Sequence, residues 1–263
     1  MTTSRTFLRS LRSVTMLLGA MALAACEKNA VQDITGTLPG ARIKFFNFGV
    51  NAPGVNFYAN DAKVTAVSST TGVEAVTGVT YGNVGSGALY SGLAPGQYTF
   101  TGRIAAAVDK DLAVATVPAT LVDGKSYSLY LSGVYNTTSK TVEGFVVEDD
   151  VPPSFNYLAA QVRFVNAISN SGPTTLTARN QTTGVTVTIG NAIPYKTGST
   201  FAVVPDGIYD LTATSAGATP VTYTRTGVTF ASSRVYTIAA RGDITVPGTT
   251  ATNRPFLDNT VNR

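Results

Sequence analysis

The chain predicts an all-β protein, built as two tandem antiparallel β-sandwich domains of immunoglobulin-like type behind a short N-terminal leader. Three observations carry this. Only 13% of the 263 residues are charged, while glycine numbers 25 and tyrosine and phenylalanine 12 each, a balance that favours strands and turns. Apolar and polar residues alternate at period two in short runs, and no sustained helical stripe with caps follows the leader. The same motifs also occur twice, in the same order.

The first repeated element is Ala41-Arg42-Ile43-Lys44-Phe45-Phe46-Asn47, which recurs as Ala160-Gln161-Val162-Arg163-Phe164-Val165-Asn166. Ile43 and Phe45 alternate with Arg42 and Lys44, as Val162 and Phe164 do with Gln161 and Arg163, so each reads as a strand with one face in a core and a basic rim. Pro95-Gly96-Gln97-Tyr98 recurs as Pro205-Asp206-Gly207-Ile208-Tyr209, where glycine permits a tight turn and tyrosine starts the next strand. Tyr127-Ser128-Leu129 with Gly133 recurs as Tyr236-Thr237-Ile238 with Gly242. Val185 to Ile189, reached through a turn from Asn180 to Gly184, and Val221 to Thr226 are further alternating strands.

Between the copies, Glu148-Asp149-Asp150-Val151-Pro152-Pro153-Ser154 joins acidic residues to a double proline that no central strand tolerates, and reads as a linker. The expected boundaries are a leader at 1–25, a polar tether at 26–39, a first sandwich at 40–148, the linker at 149–158, a second sandwich at 159–246 and a loose tail at 247–263 rich in Thr, Asn and Pro.

The leader has the layout of a secretory signal: Arg5, Arg9 and Arg12, then an apolar run from Val14 to Leu23 too short to span a bilayer. Leu23-Ala24-Ala25 then leads into Cys26, the one cysteine of the chain. This resembles the lipobox of bacterial lipoproteins. The resemblance implies cleavage before Cys26, palmitate-type acylation of that residue and stable anchoring, since two or more acyl chains hold where one is marginal. Residue 27 is Glu rather than the Asp that retains enteric lipoproteins at the inner membrane, so outer-membrane placement is expected, facing the periplasm or the cell surface. Removing the leader takes three of the 19 basic residues against 15 acidic ones, which leaves the rest near neutral and gives no reason to expect nucleic acid as a partner.

The absences restrict the chemistry. Without histidine there is no imidazole base or ligand, and lipidation would remove Cys26 from nucleophilic or zinc chemistry. Lys125-Ser126 and Ser139-Lys140 are formal Ser–Lys dyads, but neighbours on a strand point to opposite faces. Asp109-Lys110-Asp111 and Asp123-Gly124 read as solvated turns rather than a hydrolytic carboxylate pair. Glu148-Asp149-Asp150 could ligate calcium through carboxylate oxygens, with an acidic linker the commoner case. Gly82-Asn83-Val84-Gly85-Ser86-Gly87 lacks the helix and Lys-Ser/Thr of a phosphate loop and reads as a sandwich loop. Tryptophan is absent, so a glycan platform would need outward tyrosines, for which Tyr58, Tyr81, Tyr90, Tyr130 and Tyr135 are the candidates. No catalytic or metal residue and no cofactor is expected, and no ligand surface is assigned.

The two opening strands, Ala52-Pro53-Gly54-Val55-Asn56-Phe57-Tyr58, the turn Leu93-Ala94-Pro95-Gly96-Gln97-Tyr98 and the Tyr-Ser-Leu-x-Leu-x-Gly strand together resemble a bacterial domain family of unknown function. That family occurs, often in tandem, in exported and lipid-anchored proteins, and the resemblance implies immunoglobulin-like or transthyretin-like β-sandwich repeats. The second copy departs from it at Asn170-Ser171-Gly172-Pro173 and at Val204-Pro205-Asp206-Gly207. The resemblance spans roughly residues 40–245 and carries no functional residues over. The expected function is a non-enzymatic envelope lipoprotein presenting two sandwiches as an interaction or scaffold module to an envelope protein or glycan. The alternative is a carbohydrate-binding lipoprotein of a glycan-uptake system.

Overall fold

The computed structural model describes residues 40–65, 77–152 and 156–262. The leader, Cys26 and the tether lie outside these residues. Among the described residues the first half carries β1 (Ala41–Asn47), β2 (Val55–Ala59), β3 (Ala62–Lys63), β4 (Asn83–Val84), β5 (Ser91–Leu93), β6 (Gly96–Ile104), β7 (Ala113–Leu121), β8 (Ser126–Asn136) and β9 (Thr141–Glu148). The second half carries β10 (Ala159–Asn166), β11 (Thr174–Asn180), β12 (Thr186–Ile193), β13 (Thr197–Gly198), β14 (Ala202–Pro205), β15 (Gly207–Ser215), β16 (Val221–Phe230), β17 (Val235–Arg241) and β18 (Phe256–Val261).

Four sheets form two sandwich-like units with one topology. In the first, β4 and β5 pair antiparallel with β1, β1 runs parallel to β8, and β9 closes the sheet. The facing sheet is β3-β2-β6-β7. The second unit repeats this as β13 and β14 on β10, then β17 and β18, against β12-β11-β15-β16. Register repeats as well as order. Ile43 lies opposite Tyr127 and Val162 opposite Tyr236, so the sequence repeat is a repeat of pairing, residue by residue.

Each sandwich has its own core. Phe45, Phe57 and Phe100 meet between the sheets of the first, and Phe164, Leu211, Tyr209 and Phe230 between those of the second. The motif residues shape these cores. Tyr98 and Tyr209 donate their hydroxyls to the carbonyls of Ala94 (2.9 Å) and Pro205 (2.8 Å), pinning the turn before β6 and β15. The Tyr127 and Tyr236 hydroxyls accept from the amides of Val122 (3.0 Å) and Ala231 (3.1 Å). Asn47 and Asn166, fully buried at the ends of β1 and β10, tie neighbouring backbone carbonyls to those strand ends. Asn47 donates to Pro53 and Val79, and Asn166 to Ile193.

Two expectations need correction. The tail after Pro247 is not loose throughout, because Phe256–Val261 is β18, paired along its length with β17 as β9 is with β8. The stretch Gly82 to Gly87 is not simply a loop. Asn83 and Val84 pair with Asn47 and Phe46, and a tight turn at Gly85–Ala88 follows.

Candidate functional site

The described residues from Gly40 to Asn262 cluster as one compact unit, because the two sandwiches meet back to back. Strands alternate their side chains between faces, and the faces of β1, β8 and β10 that point away from their own cores point at each other. Phe46, Phe48, Tyr130 and Phe145 of the first sandwich pack against Val165, Ala167 and Ala239 of the second. The aromatics stack in a ladder, with Phe46 4.6 Å from Tyr130 and Tyr130 5.3 Å from Phe145 by ring centroids, ending edge-on at Tyr195.

The basic rim expected on β1 and β10 is therefore largely absent. Arg42 is exposed, but Lys44 and Arg163 each keep only 2% of their surface in solvent. A cation survives such burial only with partners, and both have them in the same arrangement. The Lys44 ammonium lies 4.4 Å from the Tyr90 ring and donates to the Val261 carbonyl at 2.6 Å. The Arg163 guanidinium lies 5.2 Å from the Phe201 ring, and its Nη1 donates to the Glu148 carbonyl at 2.7 Å.

These partners are equivalent in the repeat. Tyr90 and Phe201 precede the residues opposite Ile43 and Val162, and Glu148 and Val261 stand opposite Tyr127 and Tyr236. Each sandwich thus reaches across with its first strand to the end of the other's last strand. That is the reciprocity of a two-fold contact.

The two halves differ in charge at the next position. After Glu148 comes Asp149, whose carboxylate pairs with Arg163 Nη2 and accepts from Tyr90 (2.6 Å) and Ser128 (2.9 Å). After Val261 comes Asn262, whose amide donates to Thr237 Oγ1 at 2.9 Å. Burial pulls the Lys44 ammonium down to about 8, with the Asp149 charge opposing and Arg163 adding to the fall. Burial pushes the Tyr90 phenol up, and the Asp149 charge and hydrogen bond push it further, so it remains a donor.

Two cavities of about 510 Å³ each flank Tyr90 and Asn262. One is charged, lined by Arg42, Lys125, Glu148 and Asp150 among others. The other has Lys44 in its wall beside Val84, Ala88, Leu89, Tyr90 and Val261. A larger, open concavity of about 680 Å³ around Tyr98 has no charged residue in its lining.

The remaining sequence candidates are occupied by structural partners. Lys125 pairs with Glu148 at 2.7 Å and Lys140 with Asp109 at 2.6 Å, so neither formal Ser–Lys dyad forms. Glu148 and Asp149 turn to different cations, which disperses the calcium candidate. Among the described residues no group of three or more Asp, Glu, His or Cys is placed to hold a metal ion. Asp109 faces Lys140 and Asp111 accepts from Tyr58, so that turn is paired rather than merely solvated. None of the five candidate tyrosines is an outward platform. Tyr58 and Tyr130 are buried, and Tyr81, Tyr90 and Tyr135 are half-buried. Tyr58 is covered by the Arg103 guanidinium at 4.4 Å, and Tyr81 by that of Arg241 at 4.9 Å.

Lys44, Asp149, Arg163 and Asn262 were not singled out as a site by the sequence. The available signal was Phe45-Phe46: two adjacent phenylalanines on a strand require a buried partner on both faces.

Fold and seam together define a tandem β-sandwich protein whose halves are joined by a pseudo-two-fold. No family model matches the chain, and no curated protein matches it. Among solved structures it is similar to a Bacteroides ovatus protein described as a "putative cell adhesion protein", with 11% identity over 85% of this chain and 96% of that one at a TM-score of 0.22. A likeness that weak assigns no function.

Proposed function

We propose that the chain is a non-enzymatic cell-envelope lipoprotein. It is anchored in the outer membrane through acylated Cys26 of the Leu23-Ala24-Ala25-Cys26 lipobox, and it presents its two sandwiches as one interaction or scaffold module. It belongs with the tandem domain family of exported, lipid-anchored proteins that its repeated motifs resemble. The observation that carries the module reading is the buried seam: it makes the two sandwiches one body, and the repeated motif residues are consumed in holding that body together. What is left for recognition is loops, outer sheets and sheet edges, the parts that bind partners in other β proteins. The absence of histidine and the position of the one cysteine favour binding over catalysis.

The anchor is tested by metabolic acyl labelling of the wild type and Cys26→Ala, with globomycin to block processing. Label in the wild type alone supports the reading, and label persisting in Cys26→Ala overturns it. In-cell crosslinking of the lipidated protein, with the same variant as control, tests the module. A protein captured specifically by the anchored form is expected, and capture of none overturns the scaffold role.

A further inference from the structure

Among the described residues the seam holds two fully buried cations, Lys44 and Arg163, but one fully buried carboxylate, Asp149, and the Arg241–Asp258 pair beside them is partly exposed and already matched. The pseudo-two-fold shows where a second would sit. On the Arg163 side Asp149 follows the carbonyl that the cation bonds, while on the Lys44 side that position is Asn262, which bears no charge. We propose that the Lys44 side is a binding site for a small monocarboxylate with an apolar body. Its carboxylate would take on Lys44 the place that Asp149 takes on Arg163.

Three features support this assignment. An ammonium has three protons to donate, and among the described residues Lys44 donates one hydrogen bond, to the Val261 carbonyl. The adjoining cavity of about 510 Å³ has Lys44 in its wall, and beside the uncharged polar residues Asn259, Thr260 and Asn262 its lining is apolar, from Val84 and Ala88 to Leu89 and Val261, which suits a hydrocarbon body better than a second charge. The groups facing the ammonium are the Tyr90 ring, Arg163 and Asp149. Asp149 is already paired with Arg163, so among the described residues the ammonium has no carboxylate of its own, and burial has lowered its proton affinity to about 8. A bound carboxylate would balance the second cation in a low-dielectric setting where charge-assisted hydrogen bonds are strong. Leu89, 71% exposed, stands in the cavity lining where a ligand would enter from solvent. The proposal rests on the seam and is independent of the anchor.

The test is isothermal titration calorimetry of the purified full chain with decanoate and with 3-phenylpropanoate, using decan-1-ol and inorganic phosphate as controls. Saturable binding of either carboxylate is expected. Decanoate alone would mark a flexible acyl body, and 3-phenylpropanoate alone a compact aromatic one. Asn262→Asp supplies the missing counter-ion from the chain itself, and should weaken binding at least tenfold. Leu89→Asp places a like charge at an exposed position of the lining, where the fold has no reason to suffer, and should do the same. Should Asn262→Asp fail to fold, Leu89→Asp decides. The proposal is overturned if neither carboxylate binds, if decan-1-ol or phosphate binds as tightly as the better carboxylate, or if the folded variants keep wild-type affinity.

Discussion

Replacing Asp149 by Asn probes the seam most directly. The amide keeps an oxygen for Tyr90 and Ser128 but removes the charge facing Arg163. Both members of that pair are buried, with 2% of the Arg163 side chain and 0% of Asp149 exposed, so solvent does not screen the loss. Removing one partner of a buried pair costs about 3–5 kcal/mol, because the other is left as an uncompensated charge. That is a large share of the roughly 5–15 kcal/mol that holds a domain folded. Lys44 compounds the cost, since the Asp149 charge is what supports its ammonium against burial and Arg163. Asp149→Asn should therefore lower the urea midpoint at pH 7 sharply.

The second arm uses the pseudo-two-fold. Asn262→Asp in the same background returns one carboxylate to the seam, now on the Lys44 side, and should recover about 1–2 kcal/mol of the loss, a part of the worth of a charge-assisted hydrogen bond. A single variant that loses less than about 1 kcal/mol would show that Arg163 does not depend on its pair. A double variant no more stable than Asp149→Asn would show that the two positions are not equivalent. Either result refutes the reasoning.

Two further outcomes follow from the same structure. The folded-state affinity of Lys44, about 8, lies below its ordinary 10.5, so the unfolded chain holds that proton more tightly. The penalty, about 3 kcal/mol, is present in full below pH 8 and is relieved as pH rises toward 10.5. Between pH 7.5 and 9.5, below the range where buried tyrosines begin to oppose it, wild-type stability should rise with pH more steeply than that of Lys44→Met. Equal slopes in chemical denaturation would contradict this. Asn47→Ala removes the hydrogen bonds to the Pro53 and Val79 carbonyls and Asn166→Ala that to Ile193, both at buried strand ends, and each should cost about 1–3 kcal/mol in denaturant unfolding. A loss below about 0.5 kcal/mol would remove their role as staples.

What the sequence disclosed and what it withheld divide along a physical line. The repeat was legible because its residues act locally: a tyrosine bonds a carbonyl four residues back, and an asparagine caps its own strand. Two-residue alternation placed Ile43, Phe45, Val162 and Phe164 correctly in the cores. The same alternation assigned Lys44 and Arg163 to a rim, since a polar residue between apolar ones is the ordinary sign of a solvent face. Only docking with a second sheet reverses that, and docking depends on distant residues such as Val261 and Asp149. Thr, Asn and Pro after Pro247 likewise hid β18. Its Leu-Asp-Asn-Thr core is polar for a strand because its outward side chains meet the seam, where Asp258 pairs with Arg241 at 2.5 Å.

The seam also explains why the two copies must differ. In a true two-fold contact, equivalent residues on the two partners would be the same, so large side chains would meet large ones at the axis. Here Phe46, Phe48 and Tyr130 on the first sandwich correspond by register to Val165, Ala167 and Ala239 on the second. Every large aromatic of this set lies on one side and every small residue on the other. Covalent linkage of the copies permits that division, because each keeps a fixed role. Interiors are packed too densely to admit three extra aromatic rings. Two first sandwiches would therefore clash through this face, while two second sandwiches would leave voids, each of which weakens the contact. The same divergence placed the carboxylate on one side only. Shape and charge together make the first sandwich specific for the second, and the unequal charge leaves Lys44, among the described residues of the seam, as the buried cation without a carboxylate of its own.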